Sequence, residues 1–357
     1  MAWLMSAVLL VFSGTVAGLP VRVTSNFEHH RGISLDRDCG FSAPLSRGRT
    51  FWLFCDTAWN DGDGRHFIPG STAAVGTAAP GQIPTDLHEL PTPPGRPPAS
   101  PHPGGPAQFL TAPGGMRTPD GQPCTTNAGQ FAASWITGIT TTSPDNLLIT
   151  YVDLCVTSTP KPFFIQGFGI AEYNAETNTI TARTTVFSTP GAQLPATKIL
   201  GSPILQGGSL YLYAFECGRW FSGVCVTGTT HVARAESWRT AANYQWYSQG
   251  RFTSDHTKAG NIIPSAGAAV SVHSFGAAGL HAILQKDLGG GFEVWQAPTP
   301  AGPWTRRSTG KVGCRGGRGN DLCRALTGHP ELSTAHHMVI SYFSPATRHV
   351  EAALFPW

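Results

Sequence analysis

The segment Tyr211-Leu212-Tyr213-Ala214-Phe215-Glu216 is an apolar run ending in a polar group, and four other segments repeat its form, so that four of the five end in a carboxylate. They are Phe51-Trp52-Leu53-Phe54-Cys55-Asp56, Leu148-Ile149-Thr150-Tyr151-Val152-Asp153, Ala282-Ile283-Leu284-Gln285-Lys286-Asp287 and Val339-Ile340-Ser341-Tyr342-Phe343-Ser344. Each is an apolar or alternating stretch of strand length. Each also follows another strand candidate across a turn containing Gly, Ser, Asn or His, as Gly201-Ser202-Pro203-Ile204-Leu205-Gln206-Gly207-Gly208 precedes the third copy. That is a hairpin pattern. A further strand follows most copies, for example Gly167-Phe168-Gly169-Ile170-Ala171-Glu172-Tyr173, so the repeating unit is a β-meander. Meanders repeated around an axis remove most exposed sheet edges, and the spacing of the copies fits blades with loop insertions. The expected fold is all-β, a five-bladed β-propeller. Val21-Arg22-Val23-Thr24 is a candidate to complete the last blade, whose own strands finish at Phe355-Pro356-Trp357.

Composition agrees with many short strands and frequent turns: of 357 residues, 42 are Gly and 29 Pro, and only 13% are charged. A formal net charge of +3 lacks the basic bias of a nucleic-acid binder, so no nucleic acid is expected as a partner. The apolar run Ala2 to Phe12, followed by small residues to Gly18, has the shape of a signal peptide over residues 1–18, although no Lys or Arg precedes it. No other stretch reaches the length of a membrane helix. A secreted protein with no membrane span follows, with residues 19–357 as one propeller domain and a monomer as the expected state. Residues 77–123 contain Pro91-Thr92-Pro93-Pro94 and Pro101-His102-Pro103-Gly104-Gly105-Pro106, and read as a flexible insertion between the first two blades.

Eight cysteines, an even number in a chain that looks exported, read as disulfides. Short spacing favours Cys217–Cys225 and Cys314–Cys323. Hairpin register favours Cys39–Cys55, which leaves Cys124 with Cys155. No close Cys pair of the kind zinc sites use is present, and no metal or other cofactor is expected.

The first hairpin carries the most chemical information. Opposed residues of an antiparallel pair have a constant index sum, so if Cys39 faces Cys55, Asp38 faces Asp56. The alternation of side chains then puts the disulfide on one face and both carboxylates on the other. Like charges held about 5 Å apart destabilise a sheet. One member of such a pair tends to hold a proton while the other stays ionised, the division of labour of a general acid with a nucleophile or base. Two readings stand: a catalytic pair, or aspartates that cap turns and bond backbone amides, with a bulge breaking the register.

Arg37-Asp38-Cys39-Gly40-Phe41-Ser42 followed by Trp52-Leu53-Phe54-Cys55-Asp56-Thr57 resembles the opening motif of the domain-of-unknown-function 4185 family. Its pattern is an Arg-Asp-Gly-Gly-like start and a Leu-Phe-Gly-Asp-Thr-like end. Cys39 and Cys55 stand in place of glycines, and the two aspartates match Asp38 and Asp56. A looser likeness extends to Pro298 to Thr305 and to His329-Pro330-Glu331-Leu332-Ser333. The resemblance implies a five-bladed propeller with endo-D-arabinanase activity, as in glycoside hydrolase family 183, with Asp38 and Asp56 catalytic. It makes a wall polysaccharide, arabinan or arabinogalactan, the expected partner.

Other polar residues end the repeated strands, and the repeat puts them on the same rim. Asp153, Glu216, Lys286 and Asp287 are therefore candidates for holding sugar hydroxyls, against ordinary strand-end polarity. Asp38, Asp153 and Glu216 together form a competing three-blade acid set of the sort used by furanoside-cleaving propellers. His329 and Glu331 open the last blade and are candidates to line the channel, against a satisfied core histidine. Trp59, Trp135 and Trp220 are candidates to stack on sugar, against core positions. The basic stretch Arg306, Arg307, Lys311, Arg315, Arg318 and Arg324 reads as a solvated loop or a contact with an anionic polymer. Beside the hydrolase stand two alternatives: a carbohydrate-binding propeller without catalysis, and an extracellular interaction scaffold.

Overall fold

The computed structural model describes residues 18–91, 104–124, 130–157, 163–188, 198–221, 224–314 and 322–357. Residues 1–17, nearly all of the expected signal peptide, lie outside that range, as do Arg315 and Arg318. Strands account for 58% of the structure and helix for 7%, arranged as a five-bladed β-propeller. Each repeated segment is the second strand of its blade: Arg49–Asp61, Asn146–Val156, Ser209–Phe221, Leu280–Gln285 and His337–Ser344. These strands pair on both edges, with the strand before and the strand after. They are also packed on both faces, so Phe51, Trp52, Leu53 and Phe54 are all fully buried. A strand covered on both faces reads as a continuous apolar run rather than an alternation.

The first strand of each blade lies innermost, where neighbouring blades meet. Asp36–Pro44 of blade 1 contacts Phe131–Ser143 of blade 2 on one side and Arg324–Gly328 of blade 5 on the other. Lys198–Gln206 and Ala269–Ser274 complete the ring. Val21–Arg22 pairs antiparallel with His349–Pro356, so the beginning of the chain supplies the outer strand of the last blade.

Blade 1 departs from the common plan. Its second strand runs on past the sheet, and Thr57 to Asp61 pair with the added strand Gly64–Ile68. Behind this hairpin extension, Phe27, Leu35, Trp59 and Ile68 form their own apolar cluster. Phe27 is brought there by the short helix Asn26–Arg31, which starts with a capping box between Ser25 and Glu28. Burial of such side chains contributes about 1.5–3 kcal/mol each, and it holds the extension upright at the rim.

The stretch read as a flexible insertion is partly built into the fold. Leu87, Phe109 and Leu110 are buried, and His88–Glu89 adds an edge strand to blade 1. Apolar residues on both sides of the prolines supply this packing, and the Pro-rich centre, residues 92–103, lies outside the described residues. The cysteines pair as Cys39–Cys55, Cys124–Cys155, Cys217–Cys225 and Cys314–Cys323. Among the described residues, no helix is long and apolar enough to cross a membrane.

Candidate active site

The register of the first hairpin is the expected one at both ends and broken in the middle. Arg37 faces Thr57 and Phe41 faces Leu53, but Cys39 faces Phe54, with a shift on either side. Cys39 and Gly40 both take positive φ, 68° and 114°, which makes a bulge. Any side chain at Gly40 is excluded twice over, by its φ and by Val350 Cγ1 only 2.8 Å from where a Cβ would stand. Asp38 therefore does not sit opposite Asp56 in a regular ladder. Both still line one cavity of about 590 Å³, at the rim where blades 5, 1 and 2 meet.

Within that cavity Asp56 is half-buried. Its Oδ1 accepts from the Gly70 amide at 2.7 Å and from the Trp135 indole Nε1 at 3.0 Å. Burial pushes its pKa up to about 6, against the lowering effect of those two donors and with a smaller push from the charge of Asp38. Both donors point at Oδ1, so a proton on Asp56 belongs on Oδ2. Asp38 is engaged differently. Its Oδ1 accepts from the Cys39 amide at 2.8 Å, while Nε and a terminal nitrogen of Arg324 both lie 2.8 Å from Oδ2. The Arg324 guanidinium in turn lies over the Phe343 ring, 4.0 Å from its centroid. Asp36, next along the rim, is paired with Arg348 Nε at 2.8 Å. The site thus holds one carboxyl with raised proton affinity beside one carboxylate fixed by a guanidinium, an arrangement able to divide acid and nucleophile or base roles.

The other candidates are placed elsewhere. Asp153 is buried inside blade 2, bonded by Ser134 Oγ at 2.5 Å and Arg183 at 3.0 Å. Burial raises its pKa despite those partners. Glu216 is half-exposed on blade 3, with His231 Nε2 at 3.3 Å. Lys286 turns back on Ser265 at 2.7 Å, and Asp287 Oδ1 accepts from the amides of Gly289 and Gly291 as a turn cap. None of these lines the cavity that Asp38 and Asp56 share, so the three-blade acid set is not assembled around it.

His329 and Glu331 do not line it either, and meet blade 1 at Ser42. His329 is buried between Ser42 Oγ at 2.5 Å and Ser341 Oγ at 2.7 Å and stacks on Trp52. Burial lowers its pKa to about 3, so the ring is neutral. Ser42 also donates to Glu331, whose pKa burial raises. This network ties blade 5 to blade 1 from within rather than lining a channel.

Trp59, expected as a sugar platform, is 2% exposed and stacks on His66 within the cluster behind the hairpin extension. Trp135, named as a second platform, instead donates to Asp56. Arg324, counted within a basic loop in the sequence, is the partner of Asp38. The sequence holds only a positional hint for it, since it opens the inner strand of the blade that closes the ring.

The family model for the domain of unknown function DUF5005 matches residues 163–353, more than half of the chain. The chain belongs to that family. The match takes in Arg324 and leaves out the hairpin of Asp38 and Asp56. No curated protein matches the sequence. Among solved structures, a provisionally named hydrolase from Bacteroides ovatus ATCC 8483 is similar with a TM-score of 0.62 and 16% identity, over 90% of this chain and 85% of that one. A family 117 glycoside hydrolase from Zobellia galactanivorans has a TM-score of 0.52 at 10% identity, over 95% and 90%. A GH43_1 enzyme from Xanthomonas citri has a TM-score of 0.50 at 11% identity, again over 95% and 90%. At these identities the likeness is one of fold: a propeller of the kind glycoside hydrolases use.

Proposed function

We propose that this protein is a secreted glycoside hydrolase that cleaves a furanose-containing wall polysaccharide, as an endo-acting D-arabinanase, with Asp56 as general acid and Asp38 as nucleophile or base. The observation that carries the reading is the pairing of a carboxyl whose pKa is raised to about 6 with a second carboxylate held by Arg324 in the same rim cavity. Asp56, protonated on Oδ2 in weakly acidic solution, delivers that proton to the glycosidic oxygen as the bond to the anomeric carbon breaks. Asp38 either attacks the anomeric carbon to give a glycosyl ester that water then cleaves, with Asp56 taking the water's proton, or as base takes the proton of a water that attacks that carbon directly. Arg324 keeps Asp38 in place for that step.

The resemblance of the first hairpin to the domain-of-unknown-function 4185 family supports arabinan as the substrate, and the glycosidase relatives in fold support a saccharide. Four disulfides support export. Reducing-end release from arabinan and arabinogalactan tests the reading, with wild type active and Asp38→Asn and Asp56→Asn folded but inactive. Full activity in both Asn variants, with loss on changing Asp153 or Glu216, would move the chemistry to other blades. No cleavage by wild type, with binding retained, would leave a carbohydrate-binding propeller.

A further inference from the structure

On the hairpin extension of blade 1, Thr57 faces Ile68, Ala58 faces Phe67, Trp59 faces His66 and Asn60 faces Arg65. Side chains alternate along a strand, so these pairs separate into two faces. Trp59, His66 and Ile68 belong to the rear, where Trp59 and Ile68 pack in the buried cluster. Ala58, Phe67 and Arg65 are on the front with Asp56, and all four line the cavity.

Phe67 is 43% exposed, one of few large apolar side chains left open to solvent. Its edge is fixed by Phe131 of blade 2, with ring centroids 5.0 Å apart in a T-shaped contact. Lining the cavity beside two carboxylates, this ring offers a flat apolar face on which a sugar can stack. The charges differ in the same way. Asp36 and Asp38 are neutralised by Arg348 and Arg324. Arg65 is exposed, and no carboxylate among the described residues pairs with it. Its neighbour Asp61 is taken by His66 and the Trp59 indole on the other face. The charge still available to a ligand at this wall is positive.

We infer that Phe67 and Arg65 form a subsite next to Asp38 and Asp56 that takes a sugar unit bearing an anionic group, such as a uronate. The apolar face of the ring stacks on Phe67 and the carboxylate is paired by Arg65. This rests on the reading that the Asp38 and Asp56 cavity handles a saccharide, and it adds a preference for polymers that carry an acidic unit beside the cleaved bond.

Binding tests it separately from catalysis. The full chain carrying Asp56→Asn, which keeps the polymer intact, is titrated calorimetrically with glucuronate-bearing arabinogalactan fragments and with the same fragments after carboxyl reduction. The acidic form should bind about 5-fold more tightly, the scale of one partly exposed ion pair, and the difference should shrink as salt rises. Adding Arg65→Gln should abolish the preference and leave the reduced fragments unaffected. Adding Phe67→Ala should weaken both forms roughly 5- to 10-fold, and Phe67→Trp should restore them. Equal binding of the two forms, a preference that survives Arg65→Gln, or indifference to Phe67→Ala would overturn the subsite. Cleavage does not enter into any of these outcomes, since loss of hydrolysis in the wild type with the preference intact would sink only the hydrolase reading.

Discussion

Blades 1 and 2 present the same strand pattern, an apolar run ending in aspartate, and put the two acids to different ends. In blade 2, Asp153 is enclosed by Ser134 and Arg183 inside the sheet stack. In blade 1, Asp56 receives a backbone amide and an indole on one oxygen only, and it lines the rim cavity. The difference comes from what surrounds equivalent positions. Blade 2 supplies an arginine from its own outer strand Thr179–Ser188, whereas blade 1 supplies an extra hairpin whose Ala58, Arg65 and Phe67 line the cavity together with residues of blades 2 and 5. Repeat position fixes which rim an acid reaches; its neighbours decide whether it is structural or available.

The sharpest way to break the comparison is to remove each acid and read activity per folded molecule. Asp56→Asn should lower kcat by about 10²- to 10⁴-fold, the usual contribution of a general acid, with little loss of structure because Asn still accepts the Gly70 and Trp135 bonds. Activity of the wild type should fall as pH rises through about 6, as Asp56 gives up its proton. A rate that continues to climb between pH 6 and 8 would remove Asp56 from the acid role.

Asp153 should show the opposite division. Asp153→Ala strands the partly buried Arg183 guanidinium and the buried Ser134 hydroxyl, and breaking one side of a fully buried pair is worth about 3–5 kcal/mol. The pair here is partly exposed on the Arg183 side, at 23%, so a loss of about 2–3 kcal/mol is expected. Denaturant unfolding measures it. Unchanged stability with lost cleavage would reverse the roles assigned to the two blades.

The propeller was legible because its central strands are packed on both faces and so announce themselves as apolar runs. The disulfide at the first hairpin was legible too, since register survives on either side of the bulge. Three site features were not. The left-handed pair Cys39 and Gly40 breaks a ladder that spacing alone treats as regular. Arg324 stands 286 residues from Asp38, and only closure of the ring brings blade 5 against blade 1. Phe67 lay hidden behind Trp59: an aromatic count prefers the tryptophan, while strand parity turns it to the rear and puts the phenylalanine in front.

Asp56 should also leave a mark on stability. Its folded pKa, about 6, lies above the 3.8 of an ordinary aspartate. Native protein therefore holds the proton more tightly than unfolded chain, so this contribution is complete below about pH 4 and declines as pH rises through about 6. The decline amounts to at most about 3 kcal/mol, and above it the contribution is flat. Asp56→Asn has no such proton to lose. Relative to wild type it should gain stability between about pH 4 and 6.5, by up to that amount, in paired denaturant titrations. A constant difference across that interval would mean that burial does not raise this pKa.

The smallest effect belongs to blade 3, where the strand-end acid is neither enclosed nor in the cavity. Glu216 is half-exposed, and its contact with His231 Nε2 is an ion pair only when that ring is protonated. The carboxylate on its side is partly solvated, which weakens the contact. Glu216→Gln keeps an acceptor for it and should shift stability by less than about 1 kcal/mol. Cleavage should be unaffected, because no part of Glu216 lines the cavity of Asp38 and Asp56. Parallel unfolding and reducing-end assays read both quantities from one preparation. A large fall in kcat with stability intact would show substrate reaching across from blade 1 to blade 3, and would restore the acid set drawn from three blades.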